Sequence, residues 1–299
     1  MLSILIPTYN YDIQPLVYNV YEQISKLAVD FEILCYDDCS TDSDVVKGNN
    51  NINSLANTSY IVLKKNIGRS AIRNLLAKNA KFSWLLFLDA DVMPKHNTFI
   101  ANYLHSISQA SQVIFGGIVY KENFPNGNEL LRWVYGRNVE SKSASVRSKT
   151  KYKSLLFSNT IVKKDVFKTT NFKEELKIYG FEDVLFAYDL LQNNISILHI
   201  ENEVFHNGID KNTQFLNKTK DALNNLKQVG QHNLIAPKFV KILNVYYTLK
   251  RLKLDFFFAK IYKQFHNTMT ANLVSNRPSL KMFSLYKLSY FCFIHNLKK

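Results

Sequence analysis

The stretch Trp84-Leu85-Leu86-Phe87-Leu88-Asp89-Ala90-Asp91 joins a run of large apolar residues to two carboxylates separated by one residue. An apolar run of this length indicates a buried β-strand. Mg²⁺ and Mn²⁺ prefer oxygen ligands and commonly also hold a substrate phosphate. Asp is also common in turns, so the alternative is a strand followed by an ordinary polar turn. The stretch therefore predicts a strand end that is a candidate metal site.

Short apolar strands and helices alternate on both sides of this stretch. Strands are predicted at 3–6, 31–36, 60–63 and 82–88, and helices at 14–27 and 69–80. Such alternation indicates an α/β fold with a mainly parallel sheet.

The second half continues the pattern around one long connection. Strands are predicted at 113–119, 155–162 and 195–200 and a helix at 181–191, and residues 203–206 follow the last strand after a short turn. Residues 121–153 are rich in Asn, Ser, Lys and Arg. We expect them to form a long mobile connection, since loops of this length are often functional lids.

Polar clusters follow three of the predicted strands. They are Thr8-Tyr9-Asn10, Asp37-Asp38 and the Asp89/Asp91 pair. Ligands of α/β proteins bind at the carboxyl ends of parallel strands. The three clusters therefore predict one shared binding site.

The composition is that of a folded globular protein. The 299 residues are 46% hydrophobic and 13% aromatic, which excludes an intrinsically disordered chain. Cys35, Cys39 and Cys292 have no metal-ligand spacing, and their odd number argues against a disulfide framework. We expect reduced cysteines in a cytoplasmic protein.

Neither a secretory signal nor a membrane-spanning helix is expected. Residues 1–7 lack a basic n-region, and their apolar run is too short for a signal peptide. No stretch approaches the roughly 18 uninterrupted apolar residues that a spanning helix needs. We expect a protein that is soluble or peripheral on the inner face of the membrane.

Five motifs occur in a fixed order along the chain. They are Ile-Pro-Thr-Tyr-Asn at 6–10, Asp-Asp-x-Ser-x-Asp at 37–42, Asn-x-Gly-x-x-x-x-Arg-Asn at 66–74, Asp-Ala-Asp at 89–91 and Tyr-Gly-Phe-Glu-Asp-Val at 179–184. Together they resemble the family 2 glycosyltransferases of the GT-A fold, a mixed, mainly parallel sheet flanked by helices. The fifth is similar to the Glu-Asp motif of the chondroitin-polymerase-like and galactosyltransferase-like members.

The resemblance implies a binding site for a nucleotide-sugar donor. Asp38 would accept the N3–H of uracil, Pro7, Thr8 and Tyr9 would enclose the base, and Ala90 would lie at the nucleotide. The alternative for Asp37-Asp38 is a capped turn before a helix.

Two arginines are candidates for the diphosphate. Arg69 and Arg73 lie four residues apart and share a helix face, and the guanidinium group suits phosphate geometry. The sequence does not decide which of them meets the diphosphate, and the alternative is two solvated helix residues.

The resemblance also implies a divalent cation, Mn²⁺ or Mg²⁺. Asp91 would bind it, and Asp89 would contact the ribose or the water shell of the metal. His206 lies where a third ligand is expected, although a lone His after a strand is also commonly structural. The cation would stabilise the leaving nucleoside diphosphate as a Lewis acid.

Two adjacent acids are candidates for the catalytic groups. The resemblance implies that Asp183 is the general base toward an acceptor hydroxyl and that Glu182 binds acceptor or sugar hydroxyls. The alternative is two acids that stabilise the N-terminus of a helix. One base with no nucleophile on the opposite face implies inversion at the anomeric carbon.

These implications predict an inverting glycosyltransferase of hexosyl or N-acetylhexosaminyl type. It would move a sugar from a nucleotide-diphosphate donor, with a UDP-sugar favoured, to a glycan or lipid-linked saccharide in polysaccharide biosynthesis. One alternative is a nucleotidyltransferase, which would normally need a Gly-rich phosphate loop that the sequence lacks. The other is a non-catalytic membrane-surface or glycan-binding protein on the same fold.

The positive charge is concentrated near the C-terminus. Of the formal net charge of +14, most lies in residues 237–299, where twelve Lys and Arg face one acid, Asp255. Basic segments with aromatic residues are typical of helices at a membrane surface, which we expect for 238–299. The alternative is a helical cap on the catalytic domain or a homodimer contact, whereas no nucleic-acid motif is recognisable. We expect a glycosyltransferase domain at 1–215 and a helical extension at 216–299.

Overall fold

The computed structural model describes residues 1–107, 111–123, 125, 127–175 and 180–297. The chain divides into two compact units. The first comprises Met1–Tyr120, Ser141–Lys177 and Glu182–Gly208, and the second Lys121–Glu140, Ile178–Phe181 and Ile209–Lys299. The boundary expected between residues 215 and 216 falls inside the helix Asn212–Gln231 of the second unit.

The strands of the described residues all belong to the first unit. They are β1 (Leu2–Thr8), β2 (Phe31–Asp37), β3 (Thr58–Val62), β4 (Trp84–Leu88), β5 (Val92–Pro94), β6 (Val113–Phe115), β7 (Ile118–Val119), β8 (Asn159–Lys163), β9 (Ile197–His199) and β10 (Val204–His206).

The helices belong to both units. In chain order they are α1 (Gln14–Ile24), α2 (Ser43–Asn49), α3 (Arg69–Asn79), α4 (Phe99–Ser106), α5 (Leu130–Tyr135), α6 (Ala144–Ser148), α7 (Val166–Thr169), α8 (Glu182–Gln192), α9 (Asn212–Gln231), α10 (Lys241–Arg251), α11 (Asp255–Leu273) and α12 (Leu280–Asn296). Helices α5 and α9–α12 lie in the second unit.

The main sheet of the first unit is predominantly parallel. Within the described residues it has seven strands in the order β3-β2-β1-β4-β8-β6-β9. Only β8 runs antiparallel to its neighbours among these described strands. A small second sheet has the order β5-β10-β7. The predicted α/β fold with a mainly parallel sheet is confirmed.

The register of the main sheet gathers three strand ends at one edge. Thr8 of β1 pairs with Asp37 of β2, and Leu5 of β1 pairs with Phe87 of β4. Because the three strands are parallel, their carboxyl ends meet there. The polar clusters that follow β1, β2 and β4 consequently lie on the same side of the sheet.

Each unit has its own apolar core. In the first, β1 and β4 are buried along most of their length, and the apolar stripe of α1 belongs to the same core. The core of the second unit includes a cluster of buried residues, Leu131, Leu216, Tyr262, Met269, Leu273, Phe283 and Tyr286. Several aromatic residues of the basic C-terminal segment are therefore core residues.

Residues 121–153, for which the sequence predicts a long mobile connection, contain helices. They contain α5, a π-helix at Gly136–Glu140, and α6. The polar composition suggested a surface loop, but two of its arginines are buried. Arg132 donates to Glu140 Oε2 at 3.0 Å, and Arg147 donates to backbone carbonyls. Because these buried charges have partners, the segment can pack against the protein despite its polar composition.

Candidate active site

The Asp-Ala-Asp turn lies at the carboxyl end of β4. The backbone N–H of Asp89 donates to the carbonyl of Ser158 at 3.3 Å, so the first aspartate is still tied to the neighbouring chain. The chain then turns and re-enters as β5 directly after Asp91. Both carboxylates are thus fixed at the edge where β1 and β2 also end.

Asp91 and His206 are brought together by the small second sheet. β5 and β10 pair antiparallel with His206 opposite Val92, the residue after Asp91. His206 Nε2 lies 3.5 Å from Asp91 Oδ2. The ring of Tyr120 stacks on the imidazole with centroids 5.4 Å apart, which fixes the plane of the histidine.

The residues directly after β10, Asn207 and Gly208, contact Asp91. The N–H of Asn207 donates to the Asp91 carbonyl at 2.8 Å. A Cβ placed on Gly208 would lie 2.3 Å from Asp91 Oδ2, so only glycine leaves this carboxylate in its position. Burial raises the pKa of Asp91, while His206 opposes that rise.

The three predicted metal ligands are not equivalent. Asp91 and His206 face each other, whereas Asp89 Oδ1 accepts from Arg73 at 2.7 Å. Over the described ranges of the chain, no group of three or more His, Cys, Asp or Glu is arranged to hold a metal ion. The Asp91 carboxylate nevertheless suits Mn²⁺ or Mg²⁺ when further ligands come from a phosphate and water, and His206 would add a nitrogen ligand that Mg²⁺ favours less.

Arg73 bridges the two halves of the site. Its side chain is only 3% exposed, and it donates to Asp89 Oδ1 at 2.7 Å and to Asp183 Oδ1 at 3.1 Å. The rings of Phe157 and Phe172 lie 6.0 and 5.3 Å from its guanidinium carbon. Burial alone would lower the pKa of Arg73, but the carboxylates of Asp89, Asp183 and Glu182 raise it, so the group stays charged.

Asp183 lies in the first turn of α8. The chain reaches this helix through Gly180 and Phe181, both at positive φ. Asp183 Oδ2 accepts the N–H of Phe157 at 2.9 Å. Burial raises the pKa of Asp183 to about 6, although Arg73 acts in the opposite direction. A carboxyl group with this pKa is ionised at neutral pH and can still accept a proton.

Glu182 and Arg69 flank this arrangement. The Glu182 side chain is mostly buried, and its Oε1 lies 3.9 Å from Arg69 Nη1. Arg69 is 55% exposed on its side chain, in contrast to Arg73. The two arginines therefore share a helix but have different surroundings.

Asp38 holds the turn that begins α3. Its carboxylate accepts the N–H groups of Ile67 at 2.7 Å and Gly68 at 2.9 Å. Gly68 has φ 86°, a conformation that glycine adopts readily. The neighbouring Asp37 accepts from the Tyr60 hydroxyl and from the N–H of Ser40. Asp38 thus joins the end of β2 to the helix that carries both arginines.

The end of β1 is joined to the end of β2 by Asn10. Asn10 Oδ1 accepts the N–H groups of Thr41 at 2.8 Å and Asp42 at 3.1 Å. Thr8 is buried, whereas Tyr9 is exposed beside it. The Pro7, Thr8 and Tyr9 segment consequently lies next to Asp38 at the sheet edge.

Some contributors to the site were not identified from the sequence. The backbone amide of Phe157, the ring of Phe172 and the close approach of Gly208 all act through tertiary contacts. The expected strand at 155–162 begins only at Asn159, because the chain before it turns to place Phe157 against Asp183. Tyr179 of the fifth motif lies outside the described residues.

The fold and sequence were compared with known proteins. The sequence model of Glycosyl transferase family 2 matches residues 3–170. An uncharacterized glycosyltransferase of Haemophilus influenzae is 34% identical over 93 residues, which is 30% of this chain and 29% of that relative. The matched part thus spans about three tenths of the length of the relative.

Two solved structures share the fold. The mannosyltransferase PcManGT from Pyrobaculum calidifontis, in complex with GDP-Man and Mn²⁺, aligns with a TM-score of 0.58 at 12% identity, over 97% of this chain and 84% of that one. GalNAc-T7 with UDP, GalNAc and Mn²⁺ aligns with a TM-score of 0.55 at 16% identity, over 77% of this chain and 47% of that one. Because the family match covers more than half of the residues, from β1 through α7, the chain belongs to glycosyltransferase family 2.

Proposed function

We propose that this protein is an inverting, metal-dependent glycosyltransferase. It moves a sugar, of hexosyl or N-acetylhexosaminyl type, from a nucleotide-diphosphate donor to a hydroxyl of a glycan or lipid-linked saccharide. A UDP-sugar is the favoured donor.

One observation carries the proposal. A single buried guanidinium, that of Arg73, binds both Asp89 at the candidate donor side and Asp183 at the candidate acceptor side. Transfer requires the anomeric carbon and the acceptor hydroxyl to meet in a fixed geometry. Arg73 therefore holds Asp89, which is assigned to the donor side, and Asp183, which is assigned to the acceptor side, at a fixed separation.

Asp183 is the proposed general base. One oxygen accepts from Arg73 and the other from the Phe157 N–H. A carboxylate oxygen has two lone pairs, so each still has capacity for the acceptor hydroxyl. The two donors orient the carboxylate, and the neighbouring Glu182 would bind acceptor or sugar hydroxyls. Direct displacement with this one base inverts the anomeric carbon.

Asp91 and His206 are the proposed metal ligands. Their facing oxygen and nitrogen atoms form a donor pair that suits a divalent cation. PcManGT and GalNAc-T7 were both solved with Mn²⁺, which supports Mn²⁺ over Mg²⁺ as the first ion to test. The cation would neutralise charge on the leaving diphosphate. Asp89 acts mainly through Arg73 in this proposal.

The two arginines receive different roles. Arg69 is the more exposed and is assigned to the donor diphosphate. Arg73 is enclosed and already binds two carboxylates, so it is assigned to positioning. Asp38, Pro7, Thr8, Tyr9 and Ala90 are the proposed nucleotide contacts.

The most direct test is a screen of purified protein against nucleotide sugars with Mn²⁺. A donor that binds should raise the thermal midpoint by mass action, and slow hydrolysis of the same donor should release a nucleoside diphosphate. Asp91→Ala should lose the Mn²⁺-dependent part of the shift. The absence of a shift with every donor would contradict the proposal, and binding without turnover in the presence of acceptor glycans would indicate a non-catalytic binding protein.

A further inference from the structure

The turn between α10 and α11 presents exposed apolar side chains. Leu252 is 62% exposed, Phe256 70% and Phe257 61%. In the part of the chain that the structure describes, the exposed phenylalanines are these two and Phe265, all on α11. The aromatic residues of the second unit's core are buried by contrast. Contiguous apolar side chains that are exposed and surrounded by polar residues are typical of an interaction site.

The turn is tightly held by its own backbone. Lys253 has φ 57°, and the N–H of Leu254 donates to the carbonyl of Leu249 at 2.9 Å. The N–H of Phe257 donates to the carbonyl of Leu254 at 3.1 Å. Leu252, Leu254 and the two phenylalanines are therefore presented by a fixed turn.

The charges around these apolar groups are positive. Lys250, Arg251, Lys253 and Lys260 are exposed. The one acid in the segment, Asp255, is buried and accepts from Asn296 Nδ2 at 3.1 Å, so its charge is turned away from the surface. We call residues 250–260 the basic-aromatic turn.

We propose that the basic-aromatic turn binds the surface of an anionic lipid bilayer. Aromatic and leucine side chains favour the headgroup boundary, and each Lys or Arg gains up to about 1 kcal/mol near anionic lipid. No described helix is long and apolar enough to cross a bilayer. The turn belongs to the second unit and the candidate nucleotide-sugar site to the first, and this proposal does not depend on the proposed reaction.

Charge complementarity decides between lipid and a second copy of the chain. Two copies would bring identical cationic segments together, and like charges at an interface repel. An anionic leaflet pairs with the four exposed cations while the apolar side chains leave water. The lipid surface is therefore the assigned partner.

The test is co-sedimentation of the full chain with vesicles, without nucleotide sugar. Vesicles of equal parts phosphatidylglycerol and phosphatidylcholine should bind it at least about tenfold more strongly than phosphatidylcholine alone, and added salt should reduce the difference. The pairs Phe256→Ala/Phe257→Ala and Lys253→Glu/Lys260→Glu should each lower the partition coefficient about tenfold. The tryptophan emission of Phe257→Trp should shift to the blue when mixed vesicles are added. The shift should be larger than that of the wild type with the same vesicles.

Matched pairs on the first unit serve as controls. Ile61→Ala/Val62→Ala and Lys47→Glu/Lys78→Glu change exposed apolar and exposed basic residues, respectively, and should leave binding unchanged. Equal binding to both vesicle types would overturn the proposal, as would equal losses in the control pairs. A loss in the lysine pair alone would indicate a general polyanion site. Concentration-dependent dimers that vanish in the phenylalanine pair would indicate self-association instead.

Discussion

Arg73 ties together two aspartates that are far apart in sequence. One nitrogen of its planar guanidinium group donates a hydrogen bond to Asp89, and another donates to Asp183. A lysine ammonium group cannot make both bonds in the same geometry. We predict that Arg73→Lys lowers kcat/KM at least about 100-fold and the free energy of unfolding by about 1–3 kcal/mol.

Steady-state kinetics and urea denaturation measure the two effects. Arg69→Lys is the matched control, because Arg69 lies on the same helix and is exposed. It should change the apparent donor affinity and leave the free energy of unfolding close to wild type. An Arg73→Lys enzyme with wild-type kcat/KM would show that the bridge is not needed.

The pKa of Asp183 gives the reaction a pH signature. Burial raises this pKa to about 6, and a general base works only when deprotonated. We therefore predict that kcat/KM falls about tenfold per pH unit below 6 and is level above it until another group titrates. A pH profile of transfer measures this, and a flat profile between pH 5 and 7 would contradict the assignment.

Gly208 controls the position of the Asp91 carboxylate. An alanine Cβ there would lie 2.3 Å from Asp91 Oδ2, so the carboxylate would have to move relative to His206. We predict that Gly208→Ala raises the Mn²⁺ concentration for half-maximal activity about tenfold or more.

A Mn²⁺ titration of activity makes the measurement. Gly48→Ala is the control, since its Cβ would meet only the end of the Gln14 side chain at 3.1 Å. Equal Mn²⁺ dependence of Gly208→Ala and wild type would remove Asp91 from the metal site.

At the scale of elements, the buried side chain of Arg147 connects α6 to residues that follow strands of the main sheet. Arg147 donates to the carbonyls of Lys142, Gly116 and Ile200 at 2.9, 3.2 and 2.6 Å. Its guanidinium lies 4.9 Å from the ring centroid of Phe115. We predict that Arg147→Met lowers the free energy of unfolding by about 3 kcal/mol, because buried carbonyls lose charged donors.

Urea denaturation tests this value. Lys78→Met removes an exposed cation in the same unit and should cost less than about 0.5 kcal/mol. If Arg147→Met and Lys78→Met lower the free energy of unfolding equally, the Arg147 contacts do not stabilise the position of α6.

Elements with strong local patterns could be predicted, and those that depend on distant partners could not. β1, β2, β4 and α3 have continuous or periodic apolar residues, and the structure contains them close to the expected bounds. The helices between 121 and 153 were missed because buried Arg132 and Arg147 look like surface residues in sequence. The start of β8 was misplaced because Phe157 turns toward Asp183, which is a tertiary contact.

At the scale of the whole molecule, the parallel sheet explains how separate motifs form one candidate site. Thr8 ends β1, and Asp38 and Asp89 follow the adjacent strands β2 and β4, so the fold class alone predicts their proximity. The pairing of Asp91 with His206 requires the small second sheet, whose strands are only three residues or fewer. Such short strands give no clear sequence signal. The Arg73 bridge to Asp183 likewise becomes visible only in the folded chain.

The excess of basic residues and the proposed catalytic residues lie in different parts of the sequence. The basic excess lies in 237–299, whereas every proposed catalytic residue lies before residue 207. Because the two sets of residues do not overlap in sequence, we expect substitutions in one set to leave the function proposed for the other unchanged. This separation lets the transfer site be tested without a membrane.

Asp183→Asn tests the central assignment most directly. The substitution keeps the shape of the side chain and removes the base, so the variant should still bind the nucleotide-sugar donor with Mn²⁺ in a thermal-shift titration. Its transfer rate should fall at least about 1,000-fold. A variant that binds donor normally and transfers at the wild-type rate would contradict the assignment of Asp183 and the site built around it.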